Sequence, residues 1–122
     1  MPIDHTIIDP AALKRLEDWG GESLSKEIVR LFLENGPTRV EQIREAMDGE
    51  DLDVPERGAH SLKSSAANVG AQLLQKVAGE LELAASDGDL KRVRDLVPNL
   101  EQAFAQAVQE LETIVKEDGN EA

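Results

Sequence analysis

The sequence predicts an all-α protein: an antiparallel four-helix bundle with a short additional N-terminal helix. Three observations lead there. Apolar residues recur at helical spacing through the chain, and strand-like alternation appears nowhere. Apolar residues make up 40% of the chain and aromatics only 2%, so the core must be built from Leu, Val, Ile and Ala, a composition that suits packed helices better than a sheet. Short turns rich in Gly, Asp and Pro join the periodic segments, as in an up-and-down bundle. At 122 residues the chain is the size of one domain. A single domain over 1–122 is expected, with its core at about 8–115 and a frayed polar tail at 116–122.

The elements follow in order. "IIDPAALKRLEDWGG" reads as a short first helix: Asp9 is an N-cap and Pro10 occupies the first helical position, where a missing N–H costs nothing. Leu13 and Leu16 mark one face, and Gly20-Gly21 end the element. The next segment keeps helical spacing through Leu24, Ile28, Leu31 and Phe32, then through Val40, Ile43 and Met47. Asn35-Gly36-Pro37 interrupts it, and one kinked helix is expected there rather than two helices. "DGEDLDVP" is a turn. A third helix opens near Asp53, with Pro55 in its first turn, and stops at Gly70. The fourth, "AQLLQKVAGELELAAS", sets Leu74, Val77, Ala78, Leu81 and Ala85 on one side. "SDGD" is a turn whose Asp89 caps the last helix, which runs from Leu90 toward Val115. Pro98 should kink or divide that helix.

Composition excludes several functions. The chain has no cysteine, which removes disulfides, thiolate metal sites and Cys nucleophiles. A formal net charge of −12 leaves no basic footprint for nucleic acid or for an anionic membrane surface. No apolar run is long enough to span a membrane, and no signal peptide is evident. A cytoplasmic monomer is expected.

One of the two histidines, His60, lies in "AHSLKSSAANVG". On a helix, Arg57, His60, Ser64 and Ala67 form one stripe with Lys63 beside it, while Ala59, Leu62, Ala66 and Val69 form another, spaced to be buried. His60 therefore falls on an exposed or rim position. Asp and Glu account for 25 of the 122 residues, yet none lies between Arg57 and Gly79. A locally basic helix face in so acidic a chain suits an anion. As a metal ligand His60 has no partners, because there is no cysteine and His5 is far away in the N-terminal end. As a general base it lacks a nucleophile elbow, a P-loop or paired carboxylates. As a nucleophile toward phosphorus it fits better, since a neutral imidazole attacks near pH 7 and Lys63 could compensate the phosphoryl charge. A solvated surface histidine remains the plainer reading of these residues alone.

"AHSLKSSAANVGA" resembles the signature of histidine-containing phosphotransfer (Hpt) domains, roughly His-x-Leu-Lys-Gly-Ser-x-x-x-x-Gly-Ala. "IDPAALKRLEDWGG", "IVRLFLENGP" and "LELAASDGDL" also resemble the family, so the likeness extends from about Ile8 to Val115. It implies a four-helix bundle whose exposed histidine relays a phosphoryl group between receiver-domain aspartates. Carried over by position, His60 is the phospho-accepting residue through Nε2, Lys63 stabilises the phosphoryl group, and Gly70 ends the site helix. Glu82 falls where many members have an acid or amide reaching the histidine Nδ1, although it also reads as a solvated helix charge. Ser64 departs from the family, which usually has glycine there to let the receiver approach closely. Ser64, Ser65, Arg57, Ala67 and Gly70 complete the expected binding set, Arg57 being equally readable as a solvated charge. No metal or cofactor of the chain's own is implied, Mg²⁺ being expected in the partner receiver. The expected partners are response-regulator receiver domains and a hybrid sensor histidine kinase. Their apolar docking surface would surround His60 and draw on the second and third helices. No ATP-binding segment fits, so kinase activity is not expected. Two alternatives remain: an Hpt segment of a larger hybrid sensor kinase, and an adaptor bundle that binds receivers without transferring phosphate.

Overall fold

The computed structural model describes residues 7–120, with side chains described through Val115. Four helices account for nearly all of it: α1 (Pro10–Glu45), α2 (Asp53–Val69), α3 (Gln72–Ser86) and α4 (Leu90–Asn120), with one 3-10 turn at Ala46–Asp48. Each helix packs against its neighbour in sequence, and α1 also meets α4. Short turns between neighbours make consecutive helices run in opposite directions, so the four close into a bundle.

The predicted short N-terminal helix is not a distinct element. The turn signal at Gly20-Gly21 survives only as a kink, in which Gly21 alone leaves helical geometry (φ 81°, ψ −179°) and the helix resumes at once. That conformation is close to glycine-only, so the residue that was expected to end a helix bends one instead. Asp9 caps the start of α1 as predicted, its Oδ1 accepting the Ala11 N–H at 3.0 Å. The segment at Asn35-Gly36-Pro37 does run on as one helix. Pro98 likewise lies inside an undivided α4, and that helix continues to Asn120, past the point where a frayed tail was expected. Both prolines sit on the exposed side, where water can satisfy the carbonyls they orphan. The burial of Phe32, Gly36 and Ile43 around one, and of Leu96, Val97 and Leu100 around the other, outweighs the local cost.

The core is one continuous aliphatic cluster with the tilted ring pair Phe32–Phe104 at 5.5 Å. Small residues let the helices close on it. A Cβ on Gly36 would sit 2.6 Å from the Phe104 ring, and one on Gly58 would sit 2.9 Å from Ile43.

The joint between α2 and α3 positions the site helix. Gly70 takes the left-handed conformation (φ 78°, ψ 19°) and its N–H returns to the carbonyls of Ala66 and Ala67. The chain before α1 then lies across this joint: Asp9 N–H donates to the Gly70 carbonyl at 2.8 Å, and buried Ile8 pairs with Ala71. Among the described residues this bridge is the only β pairing.

Candidate functional site

The inner face of α2 is the predicted one: Ala59, Leu62, Ala66 and Val69 are all fully buried. A buried Leu or Val side chain contributes about 1.5–3 kcal/mol, so this stripe holds the rotation of α2 firmly. His60, one residue on from Ala59, is thereby turned outward, with its side chain 62% exposed.

The exposed ring is not free to rotate. Its Nδ1 lies 2.7 Å from Glu82 Oε2 on α3, and Lys63 Nζ lies 2.6 Å from Glu82 Oε1. One carboxylate therefore receives two side chains that are one turn apart on the facing helix. Because a carboxylate can only accept, Nδ1 must carry the hydrogen, and the neutral ring is held as the Nδ1–H tautomer with its lone pair on Nε2. The Glu82 side chain is 23% exposed. The Lys63 ammonium, and behind it the hydrogen bond from His60, hold its carboxyl below the usual carboxylate range against an opposing desolvation effect.

The remaining predicted residues divide. Ser64 and Ala67 are exposed on the stripe of His60, and Ser65 is half-buried on its flank. Ser65 lines a groove of about 180 Å³ between α1 and α2, together with Ile28, Leu31, Phe32, Asn35 and Asn68. Gly70 is buried in the α2–α3 joint, so its place in the predicted binding set is corrected to a structural one. Arg57 is ion-paired with Asp53 at 3.3 Å. The basic stripe read from the acid-free stretch is thus partly compensated, because Asp53 pairs with Arg57 from one turn before it on the same helix and Glu82 of α3 packs onto Lys63. His5 lies outside the described residues.

Sequence reasoning missed Arg39. It is half-buried on α1, lines the groove with Ser65 as well as a second one with Arg57 and Ser61, and has no carboxylate partner among the described residues. No local signal marks it, since its neighbours at the site come from another helix. No group of three or more His, Cys, Asp or Glu among the described residues could hold a metal, and no helix there is long and apolar enough to cross a membrane.

Comparison with known proteins identifies the family and the fold. Residues 27–117 match the Hpt domain family, and the chain belongs to it. It superposes on histidine-containing phosphotransfer protein B from Pseudomonas aeruginosa PAO1 with a TM-score of 0.84 at 25% identity, covering 91% of this chain and 96% of that one. The fold is shared with a histidine-containing phosphotransfer protein from maize (TM-score 0.84, 20% identity, 96% and 88% covered). It is shared too with the Hpt domain of a sensor hybrid histidine kinase from Shewanella (0.82, 16%, 93% and 97%). No curated protein matches the sequence.

Proposed function

We propose that this protein is a phosphorelay intermediate: it accepts a phosphoryl group on His60 Nε2 from the phospho-aspartate of one receiver domain and passes it to another. The observation that carries this reading is the exposed ring whose Nδ1 is held at 2.7 Å by Glu82. In the forward step the Nε2 lone pair attacks phosphorus, and the aspartyl O–P bond breaks with its electrons returning to the carboxylate. The ring keeps its Nδ1 proton throughout and takes on positive charge, which Glu82 faces. In the return step the Nε2–P bond breaks, its electron pair goes back to Nε2, and neutral imidazole leaves. No proton has to move, so no general base is required.

Lys63 is one turn from His60 and supplies positive charge for the phosphoryl oxygens. Most of the catalysis in such a transfer is positioning and charge neutralisation. Mg²⁺ belongs to the receiver's acidic pocket, which this chain leaves to its partner. Ser64, one turn after His60, narrows the approach to the ring relative to a glycine and bears on which receivers fit. The apolar groove lined by Ile28, Leu31 and Phe32 offers a receiver a docking surface beside the ring, and Arg39 at its margin offers a charge contact.

The test is to mix the protein with a phosphorylated receiver domain and Mg²⁺ and follow the label, with His60→Gln alongside. An acid-labile label that appears on the wild type and not on the variant is the expected result, and ATP alone should label neither. Failure to take label from a broad panel of receivers would leave only receiver binding without transfer.

A further inference from the structure

A carboxylate in contact with an imidazole does two things at once. It fixes the tautomer by accepting from Nδ1, and its negative charge draws a second proton onto the ring. The first makes Nε2 a nucleophile and the second removes its lone pair. His60 needs the one without the other, and the geometry supplies a means. Glu82 does not face His60 alone, because its other oxygen is bonded to Lys63 Nζ at 2.6 Å.

We propose that Lys63 acts on His60 through Glu82: by neutralising the carboxylate that orients the ring, it keeps Nε2 unprotonated and ready to attack before any phosphoryl group arrives. This role rests on His60 being the phosphoryl acceptor, and it is separate from stabilising the phosphorylated product.

The arrangement is built to bring the three groups together. His60 and Lys63 are three residues apart on α2, so both point at one place on α3. Gly79, three residues before Glu82, opens the surface of α3 for the lysine stem, and a Cβ there would lie 3.4 Å from Lys63 Cδ. The Lys63 side chain is 39% exposed and Glu82 is 23% exposed, so the pair is partly withdrawn from water, where its mutual charge is screened less. Other charged groups near the ring are engaged elsewhere or common to any comparison. On α2, Arg57 is paired with Asp53, while Glu56 lines the same depression as Lys63 and Glu82. On α3, Glu80 meets Arg92 of α4 at 3.5 Å. From α1, Arg39 lines the adjoining groove with Arg57 and Ser61.

The test is a double-mutant cycle on the titration of the His60 ring, followed by NMR in the full chain, with wild type, Lys63→Met, Glu82→Gln and the double variant. Methionine retains an apolar stem beside Gly79, and the spectra themselves report that each variant is folded. Lys63→Met leaves Glu82 uncompensated and should raise the midpoint of the ring titration by about one pH unit. In the Glu82→Gln background the lysine has no carboxylate to neutralise, and the same substitution should move the midpoint by much less. Equal shifts in the two backgrounds would show Lys63 acting on the ring directly and would overturn the inference, as would no shift at all.

Phosphorylation by phosphoramidate, which needs no receiver, gives a second readout. A one-unit rise in the midpoint lowers the unprotonated fraction up to about tenfold below the midpoint and changes it little well above it. The rate of Lys63→Met relative to wild type should therefore recover as the pH is raised from about 7 to about 8.5. A lysine that only stabilised product would give a deficit independent of pH, which would also overturn the inference. If wild type forms no phosphohistidine at all, the acceptor reading itself falls and the purpose assigned to Lys63 falls with it. Additive titration shifts, with normal phosphorylation of the wild type, would sink the inference and leave the acceptor reading standing.

Discussion

Gly70→Ala should be among the most damaging one-methyl changes in this protein, and the structure separates its causes. The first is conformational: with φ at +78°, any side chain sits in the left-handed region at a cost of about 1–2 kcal/mol. The second is steric, because the new Cβ would lie 2.5 Å from the Asp9 carbonyl oxygen and 2.9 Å from Ala12 Cβ. Asp9 cannot swing aside as a flexible side chain would, since its own N–H is bonded to the Gly70 carbonyl. Relief means lifting the start of α1 away from the α2–α3 joint and with it the buried Ile8, a further loss of about 2 kcal/mol. A total near 3–4 kcal/mol is expected. Gly88 supplies the control: its φ is +75° and nothing lies within 4 Å of its Cβ position, so Gly88→Ala should cost only the conformational share, about 1–2 kcal/mol. Urea unfolding followed by far-ultraviolet circular dichroism measures both, the midpoint shift being read at unchanged slope. His60 lies ten residues up the helix, about 15 Å away, so folded Gly70→Ala should still be phosphorylated. Equal destabilisation by the two substitutions would refute the steric argument and the close seating of Asp9 on this joint.

Two further expectations follow from the same residues. Leu62 is fully buried two positions from His60, so Leu62→Ala should cost about 2–5 kcal/mol in the same unfolding assay and loosen the support beneath the ring. The Glu82 carboxyl titrates below the usual range, so its contribution to stability is fully present above the carboxylate pKa of the unfolded chain. That contribution is lost as the pH falls through the lower folded value; carbon-13 NMR of the Glu82 carboxyl, with and without Lys63→Met, should show the midpoint rising when the lysine is removed.

Much of the architecture could be read from short stretches, because helix limits and faces are encoded within a few residues. Asp9 caps α1 and Asp89 caps α4, its Oδ1 accepting the Arg92 N–H at 3.0 Å. Gly70 stops α2, and the spacing of Ala59, Leu62, Ala66 and Val69 selects its buried face. An outward His60 follows directly from that face. The breakers were less decisive. Gly21, Pro37 and Pro98 each weaken a helix locally, but whether the helix ends depends on the apolar surface buried on either side, which no local window contains. The charges around the site were the least legible. An acid-free run from Arg57 to Gly79 reads as a basic face, yet Asp53 and Glu82 close on it from outside the run.

By itself the sequence determined the amphipathic helical segments, the caps at Asp9 and Asp89, the stop at Gly70, and a solvent-facing histidine followed one turn later by a lysine. It also carried the motif by which the family is recognised. Tertiary packing decided that Glu82 meets both side chains, because that depends on the rotation and register of α3 against α2. Those are set by the α2–α3 joint and by the fit of distant residues such as Asp9 and Ile8 upon it. Packing also decided that Lys63 is neutralised by Glu82 and that Arg39 stands at the groove. A periodic pattern specifies which face of a helix turns inward, but only the neighbouring helix specifies what that helix meets at its rim.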